Sequence, residues 1–205
     1  MLTVLAPRAA ALGRLAVVSD WLAGVSDGIK SQYPQLLLSS AQVLQTQGRK
    51  HAAFEQYSRA IERLEVVGPS EALADALVGK GGIYRDKGMT DRAARHYARA
   101  FDLLHETDLS GRASVLSRLA IIDASVGDLQ RAEDRLTTAT RLYEEASDAH
   151  GQYSAWNNLA QVVRLRQGRF TEAAAAAETA IRRLVSSVRR LTPLTPGSRT
   201  PRYCA

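Results

Sequence analysis

Four glycines surround Lys80 in the stretch VGKGGIYRDKG, residues 78–88. That composition suits a loop whose backbone N–H groups hold a phosphate while the lysine reaches its outer oxygens. The spacing denies it. A phosphate loop needs Gly, four residues, then Gly-Lys-Ser/Thr, whereas Ala74 stands five before Gly79 and Gly81 follows Lys80. A dinucleotide fingerprint needs glycine at 79, 81 and 84 after an apolar strand, but position 84 is Tyr and the preceding EALADALV reads as helix. His51, His96, His105 and His150 lie 45, 9 and 45 residues apart without Cys or carboxylate at ligand spacing. They assemble neither a zinc site nor a His-based triad, and are expected at the surface or in turns. Asp123 falls at an otherwise apolar position and is expected near a helix end, with water, Arg118 or Arg131 for company. Lys80 is expected to lay its stem along a helix pair with the charge outward. With no nucleophile–base pair, metal cluster or cofactor loop, the chain reads as a non-enzyme without cofactor.

Composition agrees with a helical, non-catalytic chain. The 205 residues are rich in Ala, Leu, Arg, Glu and Gln, all good helix formers. Net charge is +6, yet the last acidic residue is Glu178, and Arg182, Arg183, Arg189, Arg190, Arg199 and Arg202 beyond it supply the whole excess. The body is therefore neutral, which argues against a nucleic-acid footprint outside the basic tail. A single Cys204 closes no internal disulfide and suits a reducing compartment, so cytoplasm is the expected location. Pro7, Arg8 and Arg14 interrupt the N-terminal apolar stretch before it could serve as a signal peptide, and no run approaches the ~20 apolar residues of a membrane span. Glu144, Glu145 and Asp148 are expected to be solvated, and Trp21 and Trp156 to be core residues.

The elements that position these side chains repeat. Gly48, Gly88, Gly127 and Gly168 are separated by 40, 39 and 41 residues. Alanine stands five after each, at Ala53, Ala93, Ala132 and Ala173, and again at Ala60, Ala100, Ala139 and Ala180. Upstream, apolar or small residues recur at helical spacing: Leu37, Ala41, Leu44; Leu77, Gly81, Tyr84; Leu116, Ala120, with Asp123 in the third place; Trp156, Ala160, Val163. Each unit thus predicts a helix, a Gly C-cap and a second helix with small residues where its partner approaches. Gly81 takes the small-residue position, whereas Gly82 has no such purpose and weakens the helix by roughly 1 kcal/mol relative to Ala. The fourth unit carries one extra residue between Val163 and Gly168. Leu15, Val18, Leu22 and Val25 predict a leading helix.

Leu77, Gly81, Tyr84, Gly88, Ala93, Tyr97 and Ala100 resemble the tetratricopeptide repeat (TPR), and the other units match it less completely. Leu136 and Ala177 replace the usual aromatic. The period near 40 instead of 34 implies longer helices or linkers, as in long-period bacterial members. Ser19–Arg49 more weakly resembles the helical-repeat sensor region of large ATP-binding LuxR-type (STAND) transcription activators. The resemblance implies an all-α fold, a right-handed α-solenoid of about four TPR-like helix hairpins. Residues 1–33 would cap it, 34–190 would form the repeat domain (units near 34–67, 74–107, 113–146 and 153–187), and 191–205 would be a disordered basic tail. It further implies that first helices line a concave face. Displacing the packing positions by one places there Leu38, Gln42, Gln45; Val78, Gly82, Arg85; Ser117, Ile121, Ala124; and Asn157, Gln161, Arg164. Of these, Gln42, Gln45, Arg85, Asn157, Gln161 and Arg164 carry the hydrogen-bonding and charged groups that would hold a protein or peptide partner. The alternative is a small-molecule effector in a fragment of a transcription regulator. The Lys/Asn clamp for a C-terminal carboxylate is not reproduced.

Overall fold

The computed structural model describes residues 15–191, and within them the side chains of all but 15, 163–164 and 186–191. Among the described residues there are ten α-helices and no strand. A short pair, α1 (Leu15–Gly24) and α2 (Asp27–Gln32), precedes four hairpins. These are α3 (Pro34–Thr46) with α4 (Lys50–Val67), α5 (Glu71–Asp86) with α6 (Thr90–Leu103), and α7 (Leu109–Ser125) with α8 (Leu129–Glu145). In the fourth, α9 (Ala149–Asn158) runs into a π-helical turn, Leu159–Arg164, before α10 (Phe170–Leu191). The two helices of each hairpin pack together, and each second helix packs on the first helix of the next hairpin. Of the expected disordered tail 191–205, Leu191 is the last residue of α10, and 192–205 lie outside the described residues.

Local chemistry sets the boundaries. Gly48, Gly88, Gly127 and Gly168 adopt φ of 75°, 72°, 92° and 73°. In that left-handed conformation the following N–H reaches back to close the helix, as from Met89 to the Tyr84 carbonyl at 2.9 Å. Starts are capped by side chains: Ser70, Asp108, Asp128 and Asp148 accept from the N–H of Leu73, Gly111, Arg131 and Gly151. Helices of 16 to 18 residues in α4, α5, α7 and α8 carry the extra length of the period. The one residue by which the fourth unit is longer is absorbed in the π turn, where Leu165 N–H bonds the Ala160 carbonyl five residues back at 3.1 Å.

The repeated alanines do what their spacing predicts: Ala53, Ala93, Ala132 and Ala173 are all buried, as are Ala60, Ala100, Ala139 and Ala180. Large side chains fill the space between. The main core cluster runs through the first three hairpins and includes Leu37, Tyr57, Leu77, Ile83, Tyr97 and Leu119, whereas the fourth hairpin contributes the small cluster Ala160, Ala173 and Ala176. A Cβ at Gly81 would lie 2.7 Å from the Tyr97 ring, so Gly81 is a packing glycine. Gly79 is more constrained still, with the Tyr57 ring 2.2 Å from where its Cβ would stand.

At the N-terminal end, Leu22 is buried on Leu36 and Val43, flanked by Val18 and Val25, so α1 covers the first hairpin. Trp21 is not core as expected. It is 51% exposed, because α1 packs on one side only and its neighbour Leu22 takes that side.

Asp123 lies in the last turn of α7, near the helix end as expected, and one expected partner holds it. It is 2% exposed, and its partners are Arg131, at 2.9 Å and 2.6 Å to Oδ1, and Arg135 at Oδ2. Arg118 is not one of them. Both arginines project from α8, the antiparallel partner of α7, and hydrogen bonding to Asp123 raises the Arg131 pKa. The acidic cluster is paired as well: Glu144 with Arg183 at 2.7 Å and Glu145 with Arg141 at 2.5 Å, while Asp148 caps α9. Lys80 places its ammonium 4.9 Å from the centre of the Phe54 ring. His96 is half-buried beside Tyr84 instead of lying at the surface, and burial lowers its pKa.

Candidate binding surface

The first helices α3, α5, α7 and α9 carry the residues expected to meet a partner. Those helices do not expose the whole row. Leu38 is 0% exposed, and Gly82, Ser117 and Ala124 are buried too, because neighbouring hairpins close over that side of each helix. What remains accessible is mixed: Gln42, Gln45, Val78, Arg85, Ile121 and Asn157 are half-buried and Gln161 is exposed. The side chain of Arg164 lies outside the described residues.

Two groups of the expected residues are brought together, separately. On α3, Gln45 Oε1 accepts from Tyr57 Oη at 2.7 Å, and Gln42 lies one turn away with a buried Oε1 that has no partner. At the far end, Gln161 Nε2 donates to Asn157 Oδ1 at 2.9 Å. No packing joins α3 to α9. Arg85 stands at the C-terminal end of α5 and donates to Asp86 at 2.9 Å, while Lys50 reaches the same carboxylate at 2.6 Å. These bonds, the one from Lys50 first, hold the Asp86 carboxyl below the usual carboxylate range. Arg85 is thus partly occupied, with donors left for a second anion.

Between these groups lies a region that the sequence pattern did not single out. First helices pack on their neighbours at α3–α5 and α7–α9, but no comparable packing joins α5 to α7. Asp75 of α5 sits there. Although its side chain still reaches solvent, crowding by protein raises its pKa to about 6, with Glu71 and Asp108 adding to the rise and Arg118 opposing it. Burial, with Asp75 second, likewise raises the Tyr57 phenol. Arg118 has a buried Nε without a partner. The signal for Asp75 was available: it lies three residues before Val78, one turn further along the same helical row. Among the described residues no group of three His, Cys, Asp or Glu could hold a metal ion, and no helix is long and apolar enough to cross a membrane.

No protein-family model matches the sequence, and no curated protein matches it. Solved structures do. A crystal structure of BtubC from P. vanneervenii is similar over 100% of this chain and 84% of that one, with TM-score 0.71 at 19% identity. A Rap protein complexed with Competence and Sporulation Factor is similar over 88% of this chain and 50% of its own, with TM-score 0.73 at 16% identity. The TPR-like repeats of a putative kinesin light chain from Podosopora anserina cover 92% and 95%, with TM-score 0.68 at 15% identity. The fold is a TPR-like helical repeat. The TPR-like pattern seen at Leu77–Ala100 therefore corresponds to real hairpin stacking, while these structures lend no support to the resemblance to LuxR-type activators.

Proposed function

We propose that the protein is a non-catalytic interaction module whose first-helix wall captures a segment of a partner protein. The observation that carries this reading is the set of half-buried polar side chains on three of the four first helices, Gln42 and Gln45 on α3, Arg85 on α5 and Asn157 on α9, whose hydrogen-bonding capacity is only partly used within the chain. A stacked array presents such a set pre-formed, so little ordering is lost on binding. That a similar structure, the Rap protein, was solved as a complex supports the same use of the fold. Affinity capture with the intact chain, compared with the variant Arg85→Ala, Asn157→Ala, Gln161→Ala, tests it. Loss of specific partners by the variant is expected, and identical retrieval by both would refute the assignment of this wall.

A further inference from the structure

Helix α1 does not close fully on the first hairpin. Leu22 fills the contact with Leu36 and Val43, and beside it lies a half-open cavity of about 150 Å3. Its apolar wall comes from Leu22 and Ala23 of α1 and from Val43 and Leu44 of α3. Hydrogen bonds hold the surrounding elements in place. Gln47 Nε2 donates to Ser19 Oγ at 3.0 Å and fastens α1 to the end of α3, while Arg59 of α4 donates to Asp27 and Ser31 of α2, each at 3.4 Å.

The polar groups on the same wall are unused within the chain. Lys30 and Arg49 both line the cavity, no carboxylate does, and among the described residues neither cationic side chain makes a hydrogen bond or an ion pair. Arg49 is the N-cap of α4, whose first turn holds no acidic residue and no side-chain cap, so the positive end of an 18-residue helix adds to the two cations. Ser40 is 7% exposed and its Oγ has no hydrogen-bond partner, nor has the buried Oε1 of Gln56, and both residues line the cavity. Buried polar atoms without partners cost stability, and two of them on one cavity wall mark a place that the chain's own packing does not complete.

We propose that this cavity binds a small carboxylic acid, its carboxylate toward Lys30 and Arg49 and its aliphatic or aromatic body against Leu22, Val43 and Leu44. The other ligand classes each suit only part of the wall. An inorganic anion leaves the apolar part in water, a hydrocarbon leaves both cations unanswered, and an amine is repelled by them. Ammonium and guanidinium offer donors only, which a carboxylate meets with two acceptor oxygens. A space of this volume takes a body about the size of benzene, so the acid has about four to seven carbons. The site goes beyond the partner-binding wall and does not depend on it. A free acid and the C-terminal residue of a peptide share this chemistry.

The test adds isovalerate, acetate, isovaleramide and N-acetylleucine to the intact chain, followed by NMR at the methyl groups of Leu22, Val43 and Leu44. Saturable shifts are expected there with isovalerate. Acetate lacks the body and should bind at least about tenfold more weakly, since each buried methylene contributes about threefold to fourfold. Isovaleramide keeps the shape without the charge, and the double variant Lys30→Gln, Arg49→Gln keeps the cavity without the cations. Each change should weaken binding at least about tenfold, the effect of losing a hydrogen bond to a charged group. The double variant should keep its melting temperature, because neither side chain is paired in the fold. N-acetylleucine stands for a peptide C-terminus: tighter binding than isovalerate names that source, and weaker binding names the free acid. No saturable shift at these methyls, acetate or isovaleramide binding as well as isovalerate, or undiminished binding by the double variant would overturn the proposal. None of these results bears on partner capture by the first-helix wall.

Discussion

The ring of Tyr57 stands where a side chain on Gly79 would have to go, and this separates two glycines that look alike in the sequence. Gly79→Ala forces the ring or the α4–α5 contact to move and should destabilise by about 2 kcal/mol or more. Gly82→Ala meets no obstacle and should stabilise by about 0.5–1 kcal/mol through helix propensity; urea unfolding of the two variants reads both signs. Asp123 is the other decisive side chain, since removing it takes two arginine partners from the buried end of α7, although Arg131 keeps Asp128 at 3.3 Å. Asp123→Ala should cost about 1–3 kcal/mol, measured by the same titration. Asp75 acts through pH. Its folded pKa of about 6 lies above its unfolded value, so its contribution to stability is complete below pH ~4 and is lost as pH rises through 6. The lowered Asp86 works oppositely, its contribution being lost as pH falls. Thermal unfolding between pH 4 and 7 should show the first effect in the wild type and lack it in Asp75→Asn.

The π turn Leu159–Arg164 is an insertion tolerated by one helix, and deleting Gln161 should restore a continuous α-helix. Amide exchange across residues 159–165 would then slow to match the interior of α5 or α7, with the fold retained; unchanged exchange would show that the wide turn is imposed by packing and not by length. This element was half legible. The 41-residue interval before Gly168 announces an extra residue, but nothing in the letters says whether a helix or a loop takes it up. The glycine caps and buried alanines were readable because each depends on local backbone geometry and on one neighbouring helix. The candidate surface was less so: Leu38 and Ala124 fall in the right helical row and are nevertheless buried, since the tilt between hairpins decides which turns of a row stay open. Asp75 and Arg118 were passed over because their importance arises where α5 and α7 fail to touch. Arg131 was legible as a partner of Asp123, and Arg135 was within reach, since it lies one turn further along the same returning helix.

Among the described residues, most large buried side chains lie in the first three hairpins, whereas the fourth contributes Leu159 and the half-buried Trp156 beside a cluster of alanines. Local opening should follow that gradient, because in stacked repeats each hairpin is stabilised mainly by its immediate neighbours. Hydrogen exchange is expected to release α9 and α10 first and the middle of α5 and α6 last; uniform exchange along the chain would show a single cooperative unit. Among the described residues the helices pack on those close to them along the chain, so folding needs no meeting of distant segments. Every productive encounter closes a span of a few dozen residues, which places the protein among low-contact-order folders with short search times. An emerging polypeptide could therefore complete its opening hairpins while the later ones are still being synthesised.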